Sequence, residues 1–167
     1  MTRVDYAEKF PKGLAALTRL EQELAKTSLE PALAELIRIR VSEINGCGYC
    51  LAMHHRDARK RGEAQTRLDT VAGWREAPFY SERERAALGW AETLTLISER
   101  GAPDAAYDEV AAVFSSEEVA ALTFAVVAIN SWNRLAIGLG ADPATLEGLD
   151  LPDSAPPGSA PPAEGKD

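Results

Sequence analysis

The chain has 167 residues, 46% of them hydrophobic, which suits one core of ordinary domain size. Its 18 Lys and Arg against 26 Asp and Glu leave a net charge of −8, a balance that argues against a nucleic-acid partner. Two cysteines are too few for the disulfide scaffold of a small secreted protein, and no apolar run approaches the roughly 18 residues of a membrane span.

The N-terminus alternates charged and apolar residues (Arg3, Asp5, Glu8, Lys9) without an apolar signal core. A cytoplasmic protein with no membrane partner is expected, and in a reducing compartment a cysteine pair points to redox or metal chemistry. Apolar residues recur at helical spacing almost throughout, and no segment alternates as a strand does, so the predicted class is all-α.

The first helix is expected over Leu14 to Lys26, with Leu14, Leu17, Leu20 and Leu24 as its stripe. The second starts at Pro31, presents Leu33, Leu36, Ile37, Val41 and Ile44 on one face, and stops at Asn45 and Gly46. A third runs from Cys47 to about Arg61 and ends at Gly62. Ser81 with Glu84, and Ser115 with Glu118, match the capping box and predict helices over about Glu82 to Ser98 and Ser116 to Ile137. Gly101 and Pro103 separate the former from a shorter helix near Asp104 to Val113. The last helix is apolar on most sides between Val119 and Ile129, which predicts a central position; Gly138 and Gly140 end it. Residues 1–150 are read as a single all-helical domain. Residues 151–167, with Pro152, Pro156, Pro157, Pro161 and Pro162, are read as a disordered tail.

The chemistry concentrates between Asn45 and His55. At about 100° per residue, Cys47, Cys50 and His54 share one narrow sector of a helix and can face one pocket. Both cysteines sit in the first turn, where free N–H groups and the helix dipole favour a thiolate. If the helices on either side of Asn45 and Gly46 form an antiparallel hairpin, Glu35 and His54 lie level, because both helices rise about 1.5 Å per residue. A carboxylate on one imidazole nitrogen strengthens the other as a base, giving a Glu35, His54, Cys50 relay. The helical wheel opposes this, since it places Glu35 away from Leu33, Ile37 and Val41 and leaves it a surface glutamate. His55 points some 100° from His54 and is expected to be exposed. Arg56, Arg59, Lys60 and Arg61 are explained by complementing the dipole of a last helical turn. Trp74, Trp90, Trp132 and Met53 read as core or interface residues, and Asn130, Asn133 and Arg134 as groups that cap or bridge helices.

The segment Ile37-Arg38-Ile39-Arg40-Val41-Ser42-Glu43-Ile44-Asn45-Gly46-Cys47, continuing through Cys50 and His54 to Arg56-Asp57-Ala58-Arg59, resembles the alkylhydroperoxidase D-like core of the carboxymuconolactone decarboxylase superfamily. Ser81 to Leu88 and Ile129 to Leu135 resemble recurring segments of the same superfamily, over roughly residues 10 to 140. The resemblance implies a helical bundle that assembles as a homo-oligomer, a trimer or hexamer. It implies Cys50 as the peroxide-attacking cysteine, Cys47 as the resolving one, and His54 with Glu35 as the proton relay. The dipole alone would favour Cys47 and proximity to His54 favours Cys50; the resemblance sides with Cys50. Tyr49 departs from members that carry histidine between the cysteines.

The implied reaction is reduction of a hydroperoxide, with regeneration by a dithiol such as a lipoyl or thioredoxin-type protein and no organic or metal cofactor. Three other readings stay open: a lactone decarboxylase that dispenses with the cysteine pair, a metal site on Cys47, Cys50 and His54, and a non-catalytic redox sensor.

Overall fold

A computed structural model describes residues 2–149, and among them every regular element is a helix. The proline-rich tail expected at 151–167 lies outside the described residues. The first half contains α1 (Tyr6–Lys9), α2 (Pro11–Leu24), α3 (Pro31–Asn45) and α4 (Gly48–Lys60). Helix α2 starts one turn earlier than its leucine stripe suggests, because Pro11 occupies the first turn, where a missing N–H costs nothing. Helix α1 is too short to show a stripe; the Asp5 carboxylate caps it by accepting from the N–H groups of Ala7 and Glu8.

The turn between α3 and α4 follows from one glycine. Gly46 adopts φ 69°, a left-handed conformation that side chains disfavour. Its N–H donates to the Glu43 carbonyl and the Cys47 N–H donates to the Ser42 carbonyl, the paired closure of a Schellman turn. Cys47 thereby completes one helix and serves as N-cap of the next, with no loop between them.

Beyond α4 come α5 (Gln65–Asp69) and a 3-10 turn at Val71–Gly73, neither of which is long enough to announce itself by periodicity. The remaining elements are α6 (Glu82–Thr95), α7 (Ile97–Arg100), α8 (Asp104–Ala111), α9 (Ser116–Leu139) and a 3-10 turn at Pro143–Thr145. Both capping boxes form, with Ser81 and Ser115 accepting at N3 and Glu84 and Glu118 reaching back. The helix expected to Ser98 breaks at Leu96 into α6 and α7. Gly138 does not end α9; Gly140, at φ 75°, does.

Two apolar clusters meet on α3. Leu33, Ile37 and Val41 pack with Leu122, Val126 and Ile129 of α9, whereas Leu36 and Ile39 pack with Leu68, Val71 and Leu88. Helix α3 touches α4, α6 and α9, so it is enclosed on every side. Helix α9 is central in its contacts, as expected, packing on α2, α3, α4, α6 and α8, but it leaves Phe124, Val127 and Ile137 about half exposed. Among the described residues α9 is also the one helix long and apolar enough to cross a membrane, by length and composition alone. Enclosure of α3 extends to polar groups. The Glu92 carboxylate on α6 is buried and accepts from Arg40 Nε at 2.7 Å, Trp74 Nε1 at 2.8 Å and Arg75 Nη1 at 2.5 Å. A buried carboxylate needs such partners, and these tie α3 to α6 and to the segment after α5.

Candidate active site

Helices α3 and α4 pack as the antiparallel hairpin that the Asn45-Gly46 stop predicts. Glu35 and His54 are level across it, with Glu35 Oε2 2.9 Å from His54 Nδ1. The wheel-based expectation that Glu35 is a surface residue is overturned: it is 4% exposed. The flank it shares with Ile39 and Ser42 is not a surface, since both of those are fully buried and α4 and α6 pack on α3. A wheel reports how apolar a face is, and α3 is enclosed on polar as well as apolar faces.

Both Glu35 oxygens are engaged. Oε1 accepts from Arg38 Nη1 at 3.1 Å, and Arg61 Nε stands 3.9 Å from it. Arg38 continues outward, donating from Nη2 to Glu21 Oε2 at 2.8 Å, and Trp132 Nε1 donates to Glu21 Oε1 at 3.0 Å. Burial pushes the Glu35 carboxyl up, but the hydrogen bond and charge of His54, then the charge of Arg38, outweigh it and hold it below its ordinary value. Glu35 is therefore a carboxylate at neutral pH. With Nδ1–H donating to it, the ring nitrogen of His54 left to exchange a proton is Nε2.

Cys47 and Cys50 are joined as a disulfide with Cα atoms 5.4 Å apart, within the range such bonds use. The backbone N–H of Cys50 also donates to Cys47 Sγ at 3.3 Å, so the sulfur caps the first turn of α4. Cys50 and His54 line one cavity of about 370 Å³ together with Glu35, Arg38, Tyr49 and Trp132. Cys47 does not line it. Among the described residues no cluster of three or more His, Cys, Asp and Glu side chains is arranged to hold a metal ion. All four residues singled out in the sequence thus lie on one hairpin, three of them on the cavity.

His55 does not line the cavity; burial, then Arg59, lowers its pKa. Met53 and Trp132, expected as core or interface residues, line the cavity, and Trp132 also packs against the apolar cluster around Ile37. The outer carboxylate Glu21 and its link to Trp132 carry no sequence signal, being 111 positions apart, whereas Glu35 and Arg38 stand at the i, i+3 spacing of helical ion pairs. The expected helix bridge by Asn130 and Asn133 is present: Asn45 Nδ2 donates to their side-chain oxygens at 3.0 and 2.8 Å, and Asn133 Nδ2 donates to Ser42 Oγ at 3.0 Å. These bonds fasten the end of α3, and with it the start of the cysteine turn, to α9.

Residues 11–93 match the Carboxymuconolactone decarboxylase family. Protein YdfG of Bacillus subtilis is 40% identical over 138 residues, which span 83% of this chain and 94% of that one. A crystal structure from Agrobacterium tumefaciens, described as a candidate antioxidant defence protein AhpD, superposes with a TM-score of 0.82 at 41% identity, covering 85% of this chain and 97% of the other. The debrominase Bmp8 shares the fold, with a TM-score of 0.69 at 21% identity over 79% of this chain and 71% of its own. The chain belongs to the AhpD-like carboxymuconolactone decarboxylase superfamily.

Proposed function

We propose that the protein is a thiol peroxidase that reduces hydroperoxides through Cys50 and Cys47. The observation that carries this reading is the buried Glu35–His54 pair at 2.9 Å on the same cavity as Cys50. In the reduced protein, His54 Nε2 takes the Cys50 proton and Glu35 stabilises the imidazolium that results. Cys50 thiolate attacks one oxygen of the O–O bond, the bond breaks, and the leaving oxygen departs as an alcohol or water with a proton returned by His54. Cys50 is left as a sulfenic acid. Cys47 then attacks that sulfur, water leaves, and the disulfide forms. An external dithiol of the lipoyl or thioredoxin type restores both thiols by exchange. The cavity has room for an organic hydroperoxide, and Met53, Tyr49 and Trp132 offer its carbon chain apolar contacts. We place the reaction in the cytoplasm, where dithiol donors are kept reduced, and in a homo-oligomer whose contacts include the exposed apolar side of α9.

Steady-state assays with several hydroperoxides and dithiol donors test the reading. C50S is expected to abolish turnover, and C47S to leave a trappable sulfenic acid. Unchanged turnover in the double-serine variant would sink it. A fold does not choose a substrate, so a lactone and a brominated pyrrole belong in the same assay. Lactone decarboxylation that survives thiol blocking, or debromination faster than peroxide reduction, would replace this reading.

A further inference from the structure

The segment before α2 helps to build the relay cavity. Arg3 is fastened to the C-terminal end of α9, its backbone N–H donating to the Leu139 carbonyl at 2.8 Å and its Nη1 to the Gly138 carbonyl at 3.1 Å. Carbonyls in the last turn of a helix have no partner within it, and a guanidinium also suits the negative end of the helix dipole. Asp5 then caps α1, the Phe10 N–H donates to the Tyr6 carbonyl at 2.9 Å, and Pro11 opens α2. Residues 3–10 thus run from the end of α9 to the start of α2. Those two helices contribute Thr18, Glu21, Trp132 and Ala136 to the cavity, and Tyr6, partly buried, lines the same cavity from the segment that joins them.

The charged groups on the lining already have partners. Arg38 bonds both Glu21 and Glu35, Glu35 holds His54, and Asp57 accepts from Arg56 Nε at 2.8 Å. What remains for the body of a substrate is mainly aromatic: the rings of Tyr6, Tyr49 and Trp132, with the Met53 thioether beside them on the lining. Aromatic rings gain from edge and offset contacts with another ring beyond the area they bury, and a thioether sulfur favours a ring edge.

We propose that Tyr6, carried on this N-terminal segment, is a specificity-determining residue whose ring packs on an aryl group of the hydroperoxide. The proposal rests on the peroxidase reading and narrows the favoured substrate to hydroperoxides that bear an aromatic ring. Hydrogen peroxide has nothing to place against Tyr6, and a small alkyl hydroperoxide offers it no ring. The Tyr6 hydroxyl stays out of the proton transfers. Burial, then the neighbouring Tyr49 and Asp5, push its pKa up, so it remains a neutral phenol and leaves that work to His54. Tyr6 therefore affects which hydroperoxide is held at Cys50 and not how the O–O bond is broken.

The test has a kinetic arm and a binding arm. In the first, reduced wild type, Y6F and Y6A react in a stopped-flow instrument with cumene hydroperoxide, tert-butyl hydroperoxide and hydrogen peroxide. Y6A is expected to lose about tenfold in its second-order rate constant with cumene hydroperoxide while staying within about twofold of the wild type with hydrogen peroxide. Y6F, which keeps the ring, is expected to match the wild type. An equal loss in Y6A with all three hydroperoxides, or a loss in Y6F as large as in Y6A, overturns the proposal. In the second arm, 2-phenyl-2-propanol and tert-butanol, the alcohols left by the two organic hydroperoxides, are titrated into the oxidised proteins and followed by ligand-observed NMR. The aryl alcohol is expected to bind the wild type and Y6F about tenfold more tightly than tert-butanol, and Y6A to lose most of that ratio. A ratio near one in the wild type, or an undiminished ratio in Y6A, also overturns it. Absence of any peroxide reaction in the wild type would remove the peroxidase reading, while the alcohol titration, which needs no turnover, still decides whether Tyr6 packs on an aryl group.

Discussion

Glu35 is the residue on which the site turns, because it is a buried anion whose partners include the imidazole beside the cysteines. In the proposed peroxidase reaction it would act through His54 as a positioning residue, so its replacement should be read in more than a rate. E35Q keeps the shape and loses the charge, and the proposed peroxide reaction of the reduced protein is expected to slow by about 10²-fold. The rate of the wild type should persist to lower pH than a carboxylate of ordinary pKa, about 4.3, would allow. Carbon-13 titration of the Glu35 carboxyl should give a midpoint below that value, and a midpoint above it would contradict the hydrogen-bonding account. The same shift affects stability. A folded-state pKa below the unfolded one means that the native state binds fewer protons; the contribution is present above the unfolded pKa and lost as pH falls through the folded one. Acid denaturation of E35Q should therefore show a shallower loss of stability across the carboxylate range than the wild type. Asn133 makes a neutral counterpart. It is fully buried between Ser42 and Asn45, and N133L should cost about 1–3 kcal/mol in urea unfolding, because it leaves buried polar partners unpaired.

At the scale of the element, the α3–α4 hairpin depends on a single left-handed residue. Nothing stands within 4 Å of a methyl group built on Gly46, so G46A meets no steric block from its neighbours. Its cost is conformational, about 1–2 kcal/mol, and thermal unfolding should report it. Because Gly46 also sets where Cys47 begins α4, G46A should slow disulfide formation in the oxidised half-cycle more than its stability loss explains. Element by element, the cues that the sequence carries well are local ones: Pro31 at a helix start, Asn45-Gly46 at a stop, and the two capping boxes. Each is a rule about a few adjacent backbone groups and needs no knowledge of the remainder of the fold. The one-face spacing of Cys47, Cys50 and His54 is local in the same sense. Glu35 shows where such reading fails. Its level with His54 follows from helix rise, but its burial depends on which helices cover α3, and that is decided by residues far along the chain. Helix α5 and the turn at Val71–Gly73 escape for a related reason, since they are held by packing of Leu68, Val71 and Trp74 on α3 and α6 and not by a period of their own.

At the scale of the molecule, α2, α3, α4 and α9 converge on the cavity, and one polar chain from Trp132 through Glu21 and Arg38 to Glu35 joins three of them. E21Q should loosen Arg38 and lower the rate of the proposed peroxide reaction several-fold with little change in the melting temperature, a split that separates positioning from folding. The oligomer expected on the exposed side of α9 can be checked by light scattering: F124D is expected to lower the assembly mass, and an unchanged mass would place the contacts elsewhere.

The enclosure of α3 means that the chemistry is not portable. A graft of residues 31–60 onto another scaffold would carry the sulfurs, the imidazole and the carboxylate in the right order. Without α2 and α9 around it, water would hydrate Glu35 and compete for His54, and the transplanted pair would behave as an ordinary dithiol.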